Sequence, residues 1–134
     1  MLLLDAGVWV AAKDADDRYF EAARRLIVDT SRPVASLDLT LYETANVVGT
    51  RWGKPEEARR LCRSIVARCG DRLVNVDADL IAAAVGVAAE HGLTAYDAAY
   101  VAAARRHGWT LVSADIADLV SKGLAVAPDA ADYP

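Results

Sequence analysis

Four acidic side chains stand at points in this sequence where strands are predicted to end or helices to begin. They are Asp5, Glu43, Asp97 and Asp115. In a parallel α/β fold such positions gather at one edge of the sheet, where these folds build their sites. Carboxylates crowded together at neutral pH repel one another unless a cation joins them, and oxygen ligands suit a hard divalent ion such as Mg²⁺. The pattern therefore predicts a metal site, and we expect metal-assisted hydrolysis of a phosphodiester.

Each of these acids also has a purely structural explanation, because helix N-termini favour acidic and hydroxyl side chains. Asp5 and Asp115 could each cap the helix that follows, and Thr94 with Asp97 resembles a capping box. Taken together, these explanations do not say why acids close two strands and open two long helices. The metal-site hypothesis accounts for all four positions at once.

The other acidic side chains are weaker candidates. We expect Asp38 to cap the helix that carries Glu43, although Thr40 and Glu43 also match a capping box. Asp118 follows Asp115 by three residues, which fits either a supporting position behind the site or a solvated one. None of these side chains is needed for the predicted metal site.

The elements that must position the acids are short and regularly alternating. Apolar runs predict buried strands at 2–4, 34–35, 72–76, 109–112 and 124–126. Amphipathic or alanine-rich segments predict helices at 8–11, 16–29, 39–52, 54–69, 78–91, 95–107 and 116–122. Because the strands lack polar alternation and are separated by helices, we expect a mainly parallel sheet covered on both faces.

Length and charge narrow the functional classes. The 134 residues suit one domain over 1–134, and 54% hydrophobic with 25% charged residues is typical of a folded protein. A net charge of −4 argues against binding nucleic acid by overall charge, so such a role needs local basic patches. The candidate phosphate contacts are Arg51, Arg59, Arg60 and Arg63. The alternative for each is a solvated helix face with pairs such as Glu56 and Arg59.

The cysteines and the apolar segments point to a cytosolic protein. Cys62 and Cys69 lie seven residues apart on one predicted helix, about 10 Å along its axis, which is too far for a disulfide. We therefore expect two free thiols in a reducing compartment. The apolar run 80–89 is well short of the roughly 20 residues that a membrane helix needs, so no membrane partner is expected.

Several segments resemble the PIN-domain ribonucleases. The most specific match is LTAYDAAYVAAA at 93–104, which contains Asp97. The opening Leu-Leu-Leu-Asp at 2–5, the segment 38–46 around Glu43 and the segment 111–119 around Asp115 resemble the family's other acidic motifs. Their order and distances, over nearly the whole chain, resemble a VapC-type toxin of a type II toxin–antitoxin pair.

The resemblance implies a three-layer α/β/α PIN fold with a mainly parallel central sheet. It implies an endoribonuclease that uses Mg²⁺, or Mn²⁺, to cut RNA and so inhibit translation or growth. It also implies a homodimer and an antitoxin whose tail lies across the active-site groove, against an apolar face of the helices between Leu39 and Cys69. Carried over residue by residue, it assigns metal binding to Asp5, Glu43, Asp97 and Asp115. Ser113 takes a supporting role, orienting water or a carboxylate.

Gly7 is a departure from the family pattern, which usually has Ser or Thr two residues after the first Asp. The missing hydroxyl keeps open an alternative, a catalytically weakened PIN-fold protein that only binds an antitoxin or RNA. A receiver domain fits poorly, because Asp5 stands alone after the first strand and Lys122 is not on a strand. A haloacid-dehalogenase-type phosphatase would need Asp-x-Asp where this chain has Asp-Ala-Gly.

Overall fold

The computed structural model describes residues 1–131, and a parallel sheet forms its centre. The strands are β1 (Leu2–Leu4), β2 (Val34–Leu37), β3 (Leu73–Val74) and β4 (Thr110–Val112). They lie in the order β3-β2-β1-β4, and every neighbouring pair is parallel. The carboxyl ends of all four strands therefore meet at one edge. Residues 132–134, the end of the predicted domain, lie outside the described part.

Helices cover both faces of this sheet. They are α1 (Ala6–Ala11), α2 (Phe20–Val28), α3 (Leu39–Thr44), α4 (Pro55–Cys69), α5 (Ala78–His91) and α6 (Ala95–His107). Successive strand residues point to opposite faces. Leu2 and Leu4 accordingly pack with α1, α2 and α4, and Leu3 packs with α5 and α6. The predicted three-layer α/β/α fold is confirmed.

The predicted strand 124–126 is wrong in type, and the predicted helix 16–29 is wrong in extent. The segment 124–126 is not a strand, because Val126 makes only an isolated bridge to Val112. The helix expected from residue 16 begins at Phe20, because the carboxylates of Asp14 and Asp17 accept hydrogen bonds from backbone amides two residues on. Such local bonds stabilise turns and compete with helix formation.

Beyond α3 the predicted helix changes its winding. It continues as a π-helical segment, Ala45–Arg51, and the Trp52 amide donates to the Val47 carbonyl five residues back at 2.9 Å. A second π-helical segment, Ile116–Val120, replaces the helix predicted over 116–122. Such wide turns are rare and recur at functional sites. Each of these two segments follows closely on one of the predicted acids.

The helix ends agree with some of the capping expectations and correct others. The Thr94 hydroxyl caps α6, and Gly92 and Gly108 end α5 and α6 in the left-handed conformation. The prediction that Asp38 caps α3 is wrong, because its carboxylate accepts from the Val76 amide across the sheet edge.

Two further expectations concern α3 and the thiols. The predicted capping box of Thr40 and Glu43 does not form, because the Thr40 hydroxyl accepts a hydrogen bond from the Leu37 amide.

Cys62 and Cys69 are free thiols, as expected. Within residues 1–131, no helix is long and apolar enough to cross a membrane.

Candidate metal centre

Three carboxylates converge at the carboxyl-end edge of the sheet. Asp97, Asp115 and Asp118 each place an oxygen within 4.8 Å of the others. Asp97 and Asp115 are half-buried, and Asp118 is exposed. The charges of Asp115 and Asp118 raise the pKa of Asp97, after burial as the larger cause. These three side chains, the outer carboxylates, present several anionic oxygens to solvent from a small volume.

Local hydrogen bonds fix where the outer carboxylates lie. Asp97 is in the first turn of α6, and its backbone amide donates to the Thr94 hydroxyl at 3.2 Å. Asp115 follows β4, and its Oδ1 accepts from the Asp118 amide at 2.9 Å, which starts the second π-helical segment. The capping explanation is therefore correct for Asp115. Capping uses one of its two oxygens and leaves the other available.

Two further acids, the inner carboxylates, lie behind this group. Asp5 follows β1 and is only 7% exposed, and its Oδ1 accepts from the Val8 amide at 3.2 Å to cap α1. Burial is the main reason that its pKa rises to about 7, and the charges of Glu43 and Asp97 add to the rise. Burial and the charge of Asp97 also raise the pKa of Glu43. The inner and outer carboxylates are therefore electrostatically coupled.

Ser113 connects the two groups. Its side chain is fully buried. A hydrogen bond from Ser113 counteracts part of the rise in the pKa of Asp5. The same hydroxyl oxygen accepts from the Asp115 amide at 3.0 Å. One hydroxyl thus holds Asp5 and the backbone of Asp115 in a fixed relation.

A buried chain of hydroxyl groups orients Glu43. The Tyr100 hydroxyl donates to Glu43 Oε1 at 2.8 Å, and it lies 2.7 Å from Thr40 Oγ1. Because a phenol has a single proton, Thr40 must donate to Tyr100 while accepting from the Leu37 amide at 3.3 Å. The chain runs from Leu37 of β2 to Thr40 of α3, on to Tyr100 of α6 and back to Glu43 of α3, and it fixes the carboxylate of Glu43.

This donor set fits a hard divalent cation. Hard cations take carboxylate oxygens, and the outer carboxylates offer three within reach of one another. An inner carboxyl whose pKa is raised to about 7 is poorly stabilised as an anion by the protein alone. A cation beside Asp5 would favour its ionised form. His and Cys ligands, which would favour softer metals, are absent from the group.

Gly7 faces this site from α1. An added β-carbon would lie 3.4 Å from Asp5 Oδ1 and 3.7 Å from the β-carbon of Ala114. Both are ordinary contact distances, and Gly7 does not have a positive φ. The position therefore has room for the β-carbon of the Ser or Thr that the family pattern carries, beside Asp5.

The candidate basic residues behave differently from one another. Arg59 pairs with Glu56 on the solvated face of α4, as the structural alternative expected. The side chains of Arg51, Arg60 and Arg63 are exposed and make no hydrogen bond or ion pair within residues 1–131. They remain candidates for phosphate contacts.

Two residues of the site are weakly signalled by the sequence. Asp118 is a weaker candidate than Asp115 from its position alone, although a spacing of three residues at a helix start puts both on one side of the turn. Tyr100 was placed only within the 93–104 motif, and its link to Glu43 joins residues 57 apart. No local pattern reports a contact of that kind.

Comparison with known proteins identifies the family. The sequence model of the PIN-domain family matches residues 2–118, a range that contains all five carboxylates and Ser113. Ribonuclease VapC3 of Pyrobaculum aerophilum is 31% identical over 118 residues, which are 85% of this chain and 88% of that protein.

Solved structures share the fold. Mycobacterium tuberculosis VapC20, described as a sarcin–ricin loop cleaving toxin, has a TM-score of 0.71 at 24% identity, over 92% of this chain and 95% of its own. A toxin–antitoxin complex from Klebsiella pneumoniae has a TM-score of 0.70 at 18% identity, over 96% and 98%. At these identities the likeness establishes the fold alone. The family match and the VapC3 identity go further, and this chain therefore belongs to the PIN-domain family, among whose members it is similar to the VapC ribonucleases.

Proposed function

We propose that this protein is a divalent-metal-dependent endoribonuclease. The observation that carries the proposal is the convergence of Asp97, Asp115 and Asp118 within 4.8 Å, backed by a buried Asp5 with a raised pKa. Structural ion pairs do not explain this group, because no Lys or Arg pairs with these four carboxylates within residues 1–131. The similarity to a ribonuclease supports RNA as the substrate.

In the proposed site, the carboxylates bind the metal and two hydroxyl groups support them. The four acids singled out from the sequence, Asp5, Glu43, Asp97 and Asp115, hold Mg²⁺ or Mn²⁺, and Asp118 joins them at the exposed side. Tyr100 and Ser113 keep Glu43 and Asp5 in place. When bound, the cation supplies positive charge that favours attack of water on phosphorus and departure of the leaving oxygen. The exposed outer carboxylates are the side from which a phosphodiester approaches.

The biological role that we propose is that of the toxin in a type II toxin–antitoxin pair. Structural neighbours described as toxin–antitoxin complexes support an antitoxin partner. Cleavage of cellular RNA would arrest growth, and the antitoxin would relieve it by covering the acidic site in the cytosol. We also propose that the protein acts as a homodimer. Co-expression with the product of a neighbouring antitoxin gene should restore growth, and unrelieved arrest would count against this role.

RNA cleavage by antitoxin-free protein tests the enzymatic proposal. We expect cutting with Mg²⁺ or Mn²⁺, none with EDTA, and a loss of at least about a hundredfold in Asp97→Asn. Asp79→Asn is a matched control, because it removes an acid from the first turn of α5 just as the test variant does from α6. Cutting that survives EDTA, or equal losses in both variants, would contradict the proposal.

Gly7 favours a second candidate, a PIN-fold protein with weakened catalysis that binds an antitoxin or RNA. The open space beside Asp5 is the specific observation behind it. If the metal-loaded wild type leaves total cellular RNA intact while binding Mn²⁺, this candidate replaces the first. Restored cleavage in Gly7→Ser would then identify the missing hydroxyl as the cause.

A further inference from the structure

A groove beside the candidate metal centre has the composition of a binding surface for unpaired bases. It has a volume of about 650 Å³ and shares Glu43 with the acidic site. Tyr42 from α3 and Tyr96 from the start of α6 both line it, and they are 79% and 61% exposed. Each tyrosine immediately precedes one of the site acids, Glu43 or Asp97. A nucleic acid strand leaving the carboxylates on this side would therefore meet two aromatic side chains.

The π-helical winding after α3 adds polar groups to the same groove. Asn46 and Arg51 also line it, although five residues separate them. In an α-helix two such residues point about 140° apart, whereas the i to i+5 repeat of a π-helix brings them to one side. The winding thus aligns Tyr42, Asn46 and Arg51 along the groove, with Arg51 roughly 10 Å from Glu43 along the helix axis.

Arg51 gives the groove a cation that the protein leaves uncompensated. Its side chain is exposed and makes no ion pair or hydrogen bond within residues 1–131. Arg59, Arg105 and Arg106, in contrast, each pair with a carboxylate. In a protein with a net charge of −4, an unpaired arginine next to exposed aromatics is suited to an anionic, base-bearing ligand.

We propose that this groove binds single-stranded RNA next to the scissile phosphodiester, with bases stacked on Tyr42 and Tyr96 and a phosphate on Arg51. The proposal rests on the ribonuclease function proposed above and assigns the residues that hold its substrate beside the carboxylates. Stacking on the two tyrosines requires unpaired bases, because only these expose faces on which aromatic side chains stack. Asn46, between Tyr42 and Arg51, has an amide that can read the edge of a base. An RNA duplex does not offer these contacts.

Binding in EDTA tests the groove separately from cleavage. The probe is a short fluorescein-labelled single-stranded RNA of mixed sequence, and its duplex with the complementary strand is the comparison. We expect tighter binding of the single strand. Tyr42→Ala and Tyr96→Ala should each raise Kd about five- to a hundredfold, as loss of one stacked base does, whereas Tyr42→Phe should stay near wild type. Val85→Ala, an exposed apolar residue on α5, is the control for surface truncation.

The salt dependence of the same binding tests Arg51. Arg51→Ala should lower the slope of log Kd against log salt by about 0.7, the value for one phosphate contact to a single strand. Arg25→Ala removes an exposed arginine of α2 outside the groove and should leave the slope unchanged.

Three results would overturn the proposal. They are equal affinity for single strand and duplex, unchanged binding in Tyr42→Ala and Tyr96→Ala, and no binding of RNA by the wild type. If those variants bind RNA normally but no longer associate with a second copy or with antitoxin, the groove is a protein interface and the proposal is wrong. The ribonuclease proposal fails in a different experiment, the cleavage assay, if no metal-dependent cleavage is found. That failure would not change how the RNA-binding results in EDTA are interpreted.

Discussion

The outer and inner carboxylates have the same chemical groups but differ in how they are held. The outer ones, Asp97, Asp115 and Asp118, reach solvent and are fixed by backbone bonds at helix starts. Of the inner ones, Asp5 is buried and Glu43 is half-buried, and hydroxyl groups hold both: Ser113 for Asp5 and Tyr100 for Glu43. Exposure of the outer group lets a cation and a phosphate enter. Burial of Asp5 supplies an acid whose anionic form a bound cation would stabilise.

Removing one acid from each group should give the largest changes in Mn²⁺ affinity and in RNA cleavage. We expect Asp5→Asn to lower both Mn²⁺ affinity and RNA cleavage about a hundredfold, because an enclosed ligand has no water to replace it. Asp118→Asn should cost roughly tenfold, since solvent can take its place at the exposed side. Calorimetric titration and cleavage rates measure the two effects. Equal losses would mean that the two groups do not differ in function.

The dependence of stability on pH reports on the buried Asp5 in the metal-free protein. Asp5 has a pKa of about 7 in the folded state and an ordinary value of 3.8 when unfolded. Between these values the folded state holds a proton that the unfolded state has released. The free energy of unfolding in EDTA should therefore fall as pH rises from about 4 towards 7, by up to about 1.4 kcal/mol per pH unit.

Urea unfolding at a series of pH values in EDTA measures this dependence. Asp5→Asn should weaken it, leaving the smaller dependence of the same sign that the raised pKa values of Glu43 and Asp97 produce, whereas Asp79→Asn should leave it intact. Added Mn²⁺ should reverse the trend, because a bound cation requires ionised carboxylates. A metal-free protein that becomes more stable as pH rises through this range would show that Asp5 is ionised without help, contrary to our account.

The hydroxyl support of Glu43 can be removed without changing the packed ring. Tyr100→Phe should lower Mn²⁺ affinity and cleavage about tenfold, the usual effect of losing a group that orients a ligand. Tyr19→Phe is the control, because Tyr19 is also buried and its hydroxyl makes no hydrogen bond within residues 1–131. If both variants lose stability but keep wild-type metal affinity, Tyr100 has a structural role only.

Among these variants, Gly7→Ser should have the smallest effect on Mn²⁺ affinity, and the affinity should rise instead of fall. Its β-carbon fits at 3.4 Å from Asp5 Oδ1, so the added hydroxyl can donate to the ionised carboxylate. We expect Mn²⁺ affinity to rise a few-fold, by about 1 kcal/mol or less for one hydrogen bond. Gly7→Ala separates the hydroxyl from the methylene. A gain of the same size in Gly7→Ala would show that the hydroxyl is not responsible.

Much of the fold could be predicted from sequence, because its signals are local. Apolar runs marked β1, β2 and β4, and glycines marked the ends of α5 and α6. The segment 124–126 has the same apolar pattern as a strand but makes only one bridge. Whether an apolar segment adds a strand to a sheet depends on how it pairs with the edge strand, here β4, and the sequence of the segment alone does not determine that pairing.

The site was predictable in its residue types more than in its organisation. Asp5, Asp97 and Asp115 are visible as strand-end or helix-start positions, whereas Glu43 lies near the end of α3 and not at a helix start. Nothing local separates the outer from the inner group. That separation depends on burial and on contacts such as Tyr100 to Glu43, which the fold creates over a long sequence distance. The π-helical segment Ala45–Arg51 was equally hidden, since local composition does not report how widely a helix is wound.

Titration of metal-free protein with Mn²⁺, followed by calorimetry, tests the central claim most directly. We predict saturable binding at neutral pH in the wild type and in Asp79→Asn, and heat that vanishes in Asp97→Asn. This holds whichever RNA is the substrate. No saturable binding by folded wild-type protein, or the same binding in Asp97→Asn, would contradict the claim that these carboxylates form a metal centre.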